Sequence, residues 1–335
     1  MKRLFCLLLT TLILAFCSSC SCTKYAEKPY TQSFKAYDTI CSITIYDDLT
    51  KDDLKYIQKK GHTAGNEYNY QFDKYATDSF PKKLNEKKKT KAVGENYDIL
   101  EASIEYSKMT NGAFDVTVSP LVELWGINKQ DFEVPNINDI NRLLKKVDYK
   151  QIKLDGDTAR LTKGGSIDFG AIGKGFIADK IISELKDLGV SSAILDLGGN
   201  IYALGTNKEK PFKIGIKKPF SNGELSATVY VEDMAVITAG IDQRYKKYKG
   251  KIYSHIIDPK TGYPIDNDLN SVTVISEDST AADALSTGFM VMGLDKGLKL
   301  ANKTEDIEAV FIDKDNKLHL TKGLKMKNNE ITIKE

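Results

Sequence analysis

The first candidate for chemistry is a histidine in a chain that contains only three of them. His255 opens the run HIIDPKTGYP, between a strand-like segment at residues 251–253 and a turn rich in Pro and Gly, three residues before Asp258. Imidazole titrates near neutral pH, so this side chain is a candidate for moving a proton during a reaction. A single histidine is more often a packed or surface residue, and that interpretation stays open from the motif alone.

A second candidate is a glycine-rich turn between a predicted strand end and a predicted helix. The run DFGAIGKGF spans residues 168–176. Such a turn lets backbone N–H groups approach an anion, a helix N-terminus adds partial positive charge, and Lys174 adds a full one. The spacing matches neither GxxxxGK[ST] nor GxGxxG. The turn therefore predicts either a phosphate site or a tight strand–helix junction in which the glycines serve packing.

Two oxygen-bearing side chains share one face of a predicted helix. In the run STAADALSTGF, residues 279–289, Asp283 and Thr287 lie one helical turn apart. A carboxylate and a hydroxyl are hard ligands, which suit Mg²⁺ when a phosphate completes the coordination. The neighbouring residues are small or apolar, which indicates a buried helix, and a buried Asp needs a partner. The alternative is a packed threonine beside an exposed aspartate.

Two further segments combine glycine with aromatic or polar residues. GAFDVT at residues 112–117 leads to LWG at 124–126, which contains the only tryptophan. It is either part of a ligand site or a structural turn with an aromatic anchor. GGN at residues 198–200 follows a predicted strand, and we expect a turn there.

The elements that must position these residues mix strands and helices along the whole chain. Apolar residues at helical spacing predict helices at about 52–74, 96–109, 138–146, 176–188 and 280–292. Alternating or short apolar runs predict strands at 39–46, 151–154, 159–162, 165–169, 192–197, 201–204, 212–216, 226–231, 234–238, 271–276, 308–312, 317–320 and 330–333. The sequence therefore predicts an α+β, or mixed α/β, fold without internal repeats, and its length suits one large or two intimately packed domains.

The N-terminus predicts export. Lys2 and Arg3 precede an apolar stretch at residues 4–16 that has signal-peptide length. Cys20 follows two serines and fits a bacterial lipoprotein cleavage site; Cys17 and Cys22 are alternatives, and so is an ordinary secretory signal. We expect a lipoprotein signal peptide at residues 1–19, a tether at 20–35 and one folded domain at 36–335.

Charge and cysteine content restrict the function classes. Of the 48 Lys and Arg residues, two lie in the leader, which leaves a body with 46 basic and 46 acidic residues. No basic stripe interleaved with aromatic residues is found, so nucleic-acid binding is disfavoured. Cys41 is the only cysteine in the body, which excludes an intrachain disulfide framework there.

Taken together, the motifs resemble the ApbE family, the FAD:protein FMN transferases. The resemblance covers residues 36–290 and rests on TNGAFDVTVSPL with WG, IDFGAIGKGFIAD, LDLGGNIYALG, ITAG with a following Arg, HIIDPKTGYP and TAADALSTGF, in this order. It implies an ApbE-like flavin transferase fold, with two intimately packed α+β units around an FAD cleft.

The resemblance also implies a reaction. Members of the family use Mg²⁺ to split FAD at its pyrophosphate, pass FMN to a Ser or Thr hydroxyl of a partner protein and release AMP. Carried over, Ala171 (through its carbonyl), Asp283 and Thr287 resemble the metal ligands, and His255 resembles the catalytic base. The positions that resemble FAD contacts are Tyr37, Tyr75, Ala113, Phe114, Asp115, Asp168, Lys174 and Ile257.

The same resemblance implies a place and a partner. We expect a protein that is lipid-anchored through Cys20 to the outer face of the bacterial cytoplasmic membrane and that flavinylates exported redox proteins. A Mg²⁺-dependent FAD pyrophosphatase and a flavin-binding lipoprotein without catalysis are the alternatives. The chain departs from the family pattern at residues 238–244, where TAGIDQR has Ala239 in place of Ser and Asp242 in place of Tyr.

Overall fold

The computed structural model describes residues 29–36, 39–127 and 129–334. The α-helices among them are α1 (Lys51–Phe72), α2 (Phe80–Lys87), α3 (Glu95–Met109), α4 (Ser119–Trp125), α5 (Ile137–Leu144), α6 (Gly173–Asp187), α7 (Ser279–Met292) and α8 (Leu294–Ala301). None of the described helices is both long and apolar enough to cross a membrane. The predictions for the signal peptide, for Cys20 and for Tyr37 lie outside the described residues.

Strands make up most of the remaining regular structure. They are β1 (Tyr30–Ala36), β2 (Thr39–Ile45), β3 (Lys89–Lys91), β4 (Ile152–Asp155), β5 (Thr158–Leu161), β6 (Ala193–Leu197), β7 (Ile201–Leu204), β8 (Phe212–Lys217), β9 (Leu225–Val231), β10 (Met234–Gly240), β11 (Tyr245–Tyr248), β12 (Lys251–Ser254), β13 (Leu269–Ser276), β14 (Glu308–Asp313), β15 (Leu318–Leu320), β16 (Leu324–Lys327) and β17 (Glu330–Ile333). The mixture of helices and sheets confirms the predicted α+β class.

An eight-stranded sheet forms the middle layer, in the order β1-β2-β6-β7-β10-β13-β14-β15. All neighbouring strands in it are antiparallel. Side chains alternate between its two faces, as in β10, where Ala235, Ile237 and Ala239 belong to one apolar cluster and Val236 to another. The first cluster includes residues of α1, α6 and α7. The second joins the sheet to the four-stranded sheet β16-β17-β9-β8.

Helix α7 is buried on nearly all sides, as its small and apolar residues predict. It packs against α6, β10 and β13. Its first-turn N–H groups need partners, because the start of a helix leaves them without acceptors inside the helix. Asp278 caps the N–H of Ala281 at 2.8 Å. Asp179 of α6 accepts the N–H groups of Ser279 and Thr280 at 2.9 and 2.8 Å, so a carboxylate of one helix caps the other.

Two smaller units lie beside the layers. Strands β3-β5-β4 form a three-stranded sheet, and β11 and β12 form a two-stranded hairpin. A third apolar cluster joins α4 and α5 to the turn that follows β12. Its buried members are Leu121, Trp125, Ile127, Ile140 and Ile257.

Two predictions about the boundaries are wrong. The tether predicted at residues 20–35 overlaps β1, which begins at Tyr30 and pairs along its whole length with β2. Only Phe34 and Ala36 of β1 are buried, so the strand has too short an alternating pattern to be seen in the sequence. The strand end predicted at residues 165–169 has no strand assignment, because its polar groups bond to helical segments instead: Asp168 N–H donates to Val116 O at 2.9 Å, and Ile167 N–H donates to Oδ1 of Asn85 on α2 at 2.7 Å.

Candidate functional site

The glycine turn at residues 170–175 brings α6 into close contact with α7. A Cβ atom on Gly175 would lie 2.1 Å from the carbonyl oxygen of Ser279 and 2.7 Å from Cβ of Asp283. Real Cβ atoms do not approach so closely, so only glycine permits this spacing. The packing interpretation of the turn therefore holds at Gly175, and the close approach is what brings Asp283 to the N-terminus of α6.

Asp283 lies at the centre of a buried hydrogen-bond network. Its side chain is 5% exposed; Oδ2 accepts the N–H of Gly175 at 2.9 Å, and Oδ1 accepts Nδ2 of Asn200 at 3.0 Å. Asn200 in turn accepts the ammonium of Lys174 at 3.0 Å through its Oδ1. Burial raises the pKa of Asp283, while Lys174 and the two donors oppose that rise. The network joins the glycine turn, the GGN turn and α7 in one place.

Oxygen atoms around Asp283 fit a hard divalent cation. Thr287 lies one helical turn further along α7 and is half-buried. The N–H of Gly175 donates to Asp283, so it does not need the carbonyl oxygen of Ala171, four residues earlier, as its acceptor. No group of three His, Cys, Asp or Glu side chains suited to a metal occurs in the described part of the chain. A cation here would therefore need one carboxylate, one hydroxyl and a backbone carbonyl, a set that suits Mg²⁺.

Asp168 is held by a lysine that the sequence reasoning missed. The ammonium of Lys74 lies 3.0 Å from Oδ2 of Asp168 and 3.1 Å from Oε1 of Glu123. Burial alone would lower the pKa of Lys74, but the two carboxylates raise it above its ordinary value. The Lys74 ammonium also lies 5.0 Å from the ring centre of Tyr75, whose side chain is 70% exposed. The structure thus places Tyr75 beside Asp168 through Lys74.

The segment that leads from Thr110 to Phe114 packs against Gly288 of α7. A Cβ atom on Gly288 would lie 2.8 Å from Cγ2 of Thr110 and 3.3 Å from Cβ of Phe114, so this segment touches α7 closely. Ala113 and Phe114 are buried.

The carboxylate of Asp115 is occupied within the protein. It accepts the N–H and the hydroxyl of Thr117 at 2.8 and 2.7 Å, and the N–H of Tyr149 at 2.8 Å. Burial raises the pKa of Asp115 to about 6, and these three donors oppose the rise. The side chain therefore shapes the loop, and a ligand would meet this segment through other atoms.

His255 is held as a neutral ring with one nitrogen available. Its Nδ1 lies 3.1 Å from the carbonyl oxygen of Arg244. A carbonyl only accepts, so Nδ1 carries the proton and Nε2 carries the lone pair. Burial lowers the pKa of His255 to about 4; the hydrogen bond to the Arg244 carbonyl opposes this, as does Asp242, while the positive charges of Arg244 and Lys174 lower the pKa further. His255 is therefore uncharged at neutral pH and able to accept a proton.

Asp258 does not orient this histidine. Its carboxylate accepts the N–H of Lys260 at 2.8 Å and the hydroxyl of Thr261 at 3.2 Å, so it stabilises the turn of its own motif. The orienting acceptor for His255 is the backbone carbonyl of Arg244.

The turn after His255 is anchored on α4 by the single tryptophan. Nε1 of Trp125 donates to the carbonyl oxygen of Gly262 at 2.7 Å. Gly262 has a φ of +77°, and a Cβ there would lie 2.8 Å from Cγ2 of Ile140. Ile257 is 5% exposed and belongs to the same apolar cluster. The LWG and HIIDPKTGYP motifs are therefore one structural unit, and Ile257 is part of its core.

The two departures from the family pattern have different environments. Ala239 is 8% exposed and faces the core that contains α7. Asp242 follows β10, and its Oδ2 accepts the N–H of Phe220 at 3.2 Å, which ties the loop between β8 and β9 to the segment that leads to His255.

Hydrogen bonds join Lys174 to Asp283 through Asn200. Lys74 forms an ion pair with Asp168 and a cation–π contact with Tyr75, and Phe114 packs against Gly288 of α7. Asn200 and Lys74 were not predicted. In the sequence, Asn200 stands out only as part of GGN after a strand, and Lys74 only as the residue before Tyr75. Neither pattern indicates the distant partner, which is Asp283 for Asn200 and Asp168 for Lys74.

Comparisons with known proteins identify the family of this chain. The ApbE family model matches residues 37–311. The FAD:protein FMN transferase of Klebsiella pneumoniae is 35% identical over 229 residues, which cover 67% of this chain and 71% of that protein. The enzyme of the same name from Treponema pallidum is 34% identical over 246 residues, with 68% of each chain covered.

Solved structures give the same result for the fold. The ApbE protein from Thermotoga maritima superimposes with a TM-score of 0.81 at 28% identity, over 89% of this chain and 97% of that one. The apo form of the flavinyl transferase ApbE from Pseudomonas stutzeri gives a TM-score of 0.79 at 27% identity, over 88% and 95% of the two chains. The chain has the ApbE flavin transferase fold, and it belongs to the ApbE family.

Proposed function

We propose that this protein is an FAD:protein FMN transferase, which transfers FMN from FAD to a Ser or Thr hydroxyl of an exported acceptor protein and releases AMP. The relatives that carry this name support the activity. The observation that carries the proposal is the Lys174–Asn200–Asp283 network at the start of α6, together with His255, whose pKa burial lowers and whose Nδ1 is bonded to the Arg244 carbonyl.

The reaction assigns a part to each of these groups. The acceptor hydroxyl oxygen forms a bond to the phosphorus on the FMN side of the pyrophosphate, and the bond from that phosphorus to the bridging oxygen breaks. AMP leaves with the bridging oxygen. Nε2 of His255 takes the hydroxyl proton, since Nδ1 is occupied by the carbonyl of Arg244. Lys174 offsets negative charge on the pyrophosphate.

The residues that would hold Mg²⁺ are Asp283, Thr287 and Ala171 through its carbonyl. When bound, the ion supplies charge neutralisation for the phosphates. Asp283 is suited to this because burial makes an unneutralised carboxylate costly, and a cation would offset that cost.

The FAD contacts would come from segments around this network. We assign them to Tyr75, Ala113, Phe114, Asp115, Asp168, Lys174 and Ile257, and to Tyr37, which precedes β2. Tyr75 is the exposed aromatic among them and could stack on a flavin or adenine ring. Asp115 would contribute backbone atoms, because its carboxylate is occupied by Thr117 and Tyr149.

The N-terminal sequence supports a location for the reaction. An apolar leader followed by Cys20 is typical of an exported lipoprotein. We propose that the enzyme is anchored at Cys20 to the outer face of the cytoplasmic membrane and that its acceptors are exported redox proteins.

The test combines two readouts in one reaction. The full chain is incubated with FAD, Mg²⁺ and a candidate acceptor domain, and then the acceptor mass, its in-gel flavin fluorescence and free AMP are measured. The proposal predicts that the acceptor gains the mass of one FMN group and that one AMP is released for each label. EDTA should abolish both the labelling and the AMP release. AMP without a labelled acceptor would indicate an FAD pyrophosphatase, and FAD binding without AMP would indicate a carrier.

A further inference from the structure

A cavity adjoins the segment that carries His255. Its volume is about 620 Å³, and it shares no residue with the positions assigned to FAD. Ser254, the residue directly before His255, lies in its wall. We call this cavity the acceptor groove, and its defining residues are Phe220, Ile241, Ile252, Ser254, Ile265 and Asn270.

One wall of the acceptor groove is an open strand edge. In the described sheets, β12 has a single neighbour, β11. His255 N–H donates to Arg244 O at 3.1 Å, in register with the ladder that pairs Ile252 with Lys247. Bonded and non-bonded pairs alternate in an antiparallel ladder, so the N–H and C=O of Ile252 point away from β11. These groups can pair with an extended polypeptide.

The rim of the groove exposes apolar side chains that are held in place. Phe220 is 46% exposed and Ile252 is 37% exposed. Phe220 has a φ of +59°, a conformation that costs free energy for a residue other than glycine. Asp242 holds it there by accepting its N–H, and its ring contacts Tyr245 with the centroids 5.6 Å apart.

The groove and His255 are joined through neighbouring residues. Ser254, which lines the groove, directly precedes His255 in the chain. Asp242 accepts the N–H of Phe220 on the rim and opposes the lowering of the His255 pKa that burial causes.

We infer that the acceptor groove binds the acceptor polypeptide as an extended segment that pairs with β12 at Ile252, while Phe220 and Ile252 contact apolar side chains next to the modified Ser or Thr. The inference rests on the proposed transferase function. Unpaired backbone groups beside a fixed apolar rim favour a polypeptide over a small molecule, because a small molecule does not need a strand edge.

The test uses a peptide library, since the natural acceptor is not needed for it. Each peptide has nine residues with one central Thr, no other Ser or Thr, and randomised flanks. The full-length enzyme is given FAD and Mg²⁺; peptides that gain flavin absorbance are sequenced by mass spectrometry, and AMP and FAD affinity are measured in parallel. The variants are Ile252→Glu and Phe220→Ser, with Met326→Glu as a control, because Met326 on β16 is 42% exposed and outside the groove.

We expect labelled peptides to be enriched in apolar residues beside the Thr. Each groove variant should lower labelling at least tenfold and lose this enrichment, with FAD affinity within twofold of the parent, while Met326→Glu labels like the parent. Unchanged labelling by both groove variants would overturn the inference, and so would AMP release by the parent without any labelled peptide. Absence of both AMP and label would overturn the proposed transferase function and, with it, the inference that the groove binds the acceptor.

Discussion

The α6–α7 junction and the turn after His255 hold their functional groups in opposite ways. At the junction, each oxygen of Asp283 has a donor and Lys174 has an acceptor, so charges are fixed at close range. At the turn, the ring of His255 has one hydrogen bond, to a carbonyl, and its other nitrogen has no hydrogen bond in the described part of the chain. The difference shows how one site can combine fixed charges with a neutral base. Hydrogen bonds fix the charged groups Asp283 and Lys174, whereas burial lowers the pKa of His255 and keeps it unprotonated.

The largest effect should come from the junction. Asp283→Asn removes the buried charge but keeps the shape, and it should slow FMN transfer by about 10³-fold, because groups that offset transition-state charge contribute on this order. AMP release at saturating FAD measures it. Asp187→Asn, an exposed change at the end of α6, is the control. A rate for Asp283→Asn within tenfold of the parent would remove the carboxylate from the mechanism.

The close approach of the two helices can be tested by a single methyl group. Gly175→Ala would place Cβ 2.1 Å from the Ser279 carbonyl, so the helices must separate, and we expect a loss of about 3 kcal/mol in the free energy of unfolding. Gly173→Ala is a matched control in the same helix, since its nearest contact would be an ordinary 3.6 Å. Urea unfolding measures both. Equal stabilities would contradict the junction geometry.

At the turn, His255→Ala should slow FMN transfer by about 10²-fold, the lower range for loss of a general base. FAD affinity should change less than twofold, since the ring is expected to act on the acceptor hydroxyl. Flavin fluorescence gives the affinity, and acceptor labelling gives the rate. His62→Ala, on α1, is the control. Weak FAD binding with unchanged turnover would show that His255 binds and does not catalyse.

The anchor of the turn should matter for stability more than for rate. Trp125→Phe leaves the carbonyl of Gly262 without its donor, and we expect a loss of about 1–2 kcal/mol in the free energy of unfolding. Tyr56→Phe, a change at an exposed aromatic residue, should alter it by less than about 0.5 kcal/mol. If Trp125→Phe is as stable as the parent, this hydrogen bond does not anchor the turn.

The smallest effect should be that of pH. The pKa of His255 is lowered to about 4, so the unprotonated base persists as pH falls through the ordinary histidine value of 6.5. The transfer rate, measured under single-turnover conditions, should therefore change less than twofold between pH 8 and 6 and should decline only nearer pH 4. A half-maximal rate at pH 6.5 that His255→Ala abolishes would contradict the lowered pKa of His255.

Long elements and local motifs were predictable from the sequence, whereas pairings between distant residues were not. Helix α1 was predicted despite Gly61, and the structure explains this glycine, since a Cβ there would lie 2.7 Å from Cδ1 of Ile43 in the sheet. Helix α4 was missed because its seven residues carry too little periodicity. The bond between Asn200 and Asp283 spans 83 positions in the chain, and no local pattern encodes it.

The resemblance to the family supplied the candidate residues, and the structure supplied their physical settings. The structure shows that the carboxylates of Asp115 and Asp258 accept backbone N–H groups of their own turns, although carboxylates at these positions could also have been catalytic or ligand-binding groups. It also relates the departure at Asp242 to Phe220 and so to the acceptor groove.

The most direct test of the central claim is the stoichiometry of AMP and acceptor-bound FMN in one reaction, for the parent chain and for His255→Ala. If the junction and the turn form one transfer site, the parent releases one AMP for each FMN attached, and His255→Ala forms both products about 10²-fold more slowly while it still binds FAD. Equal acceptor labelling by His255→Ala and the parent would contradict the claim.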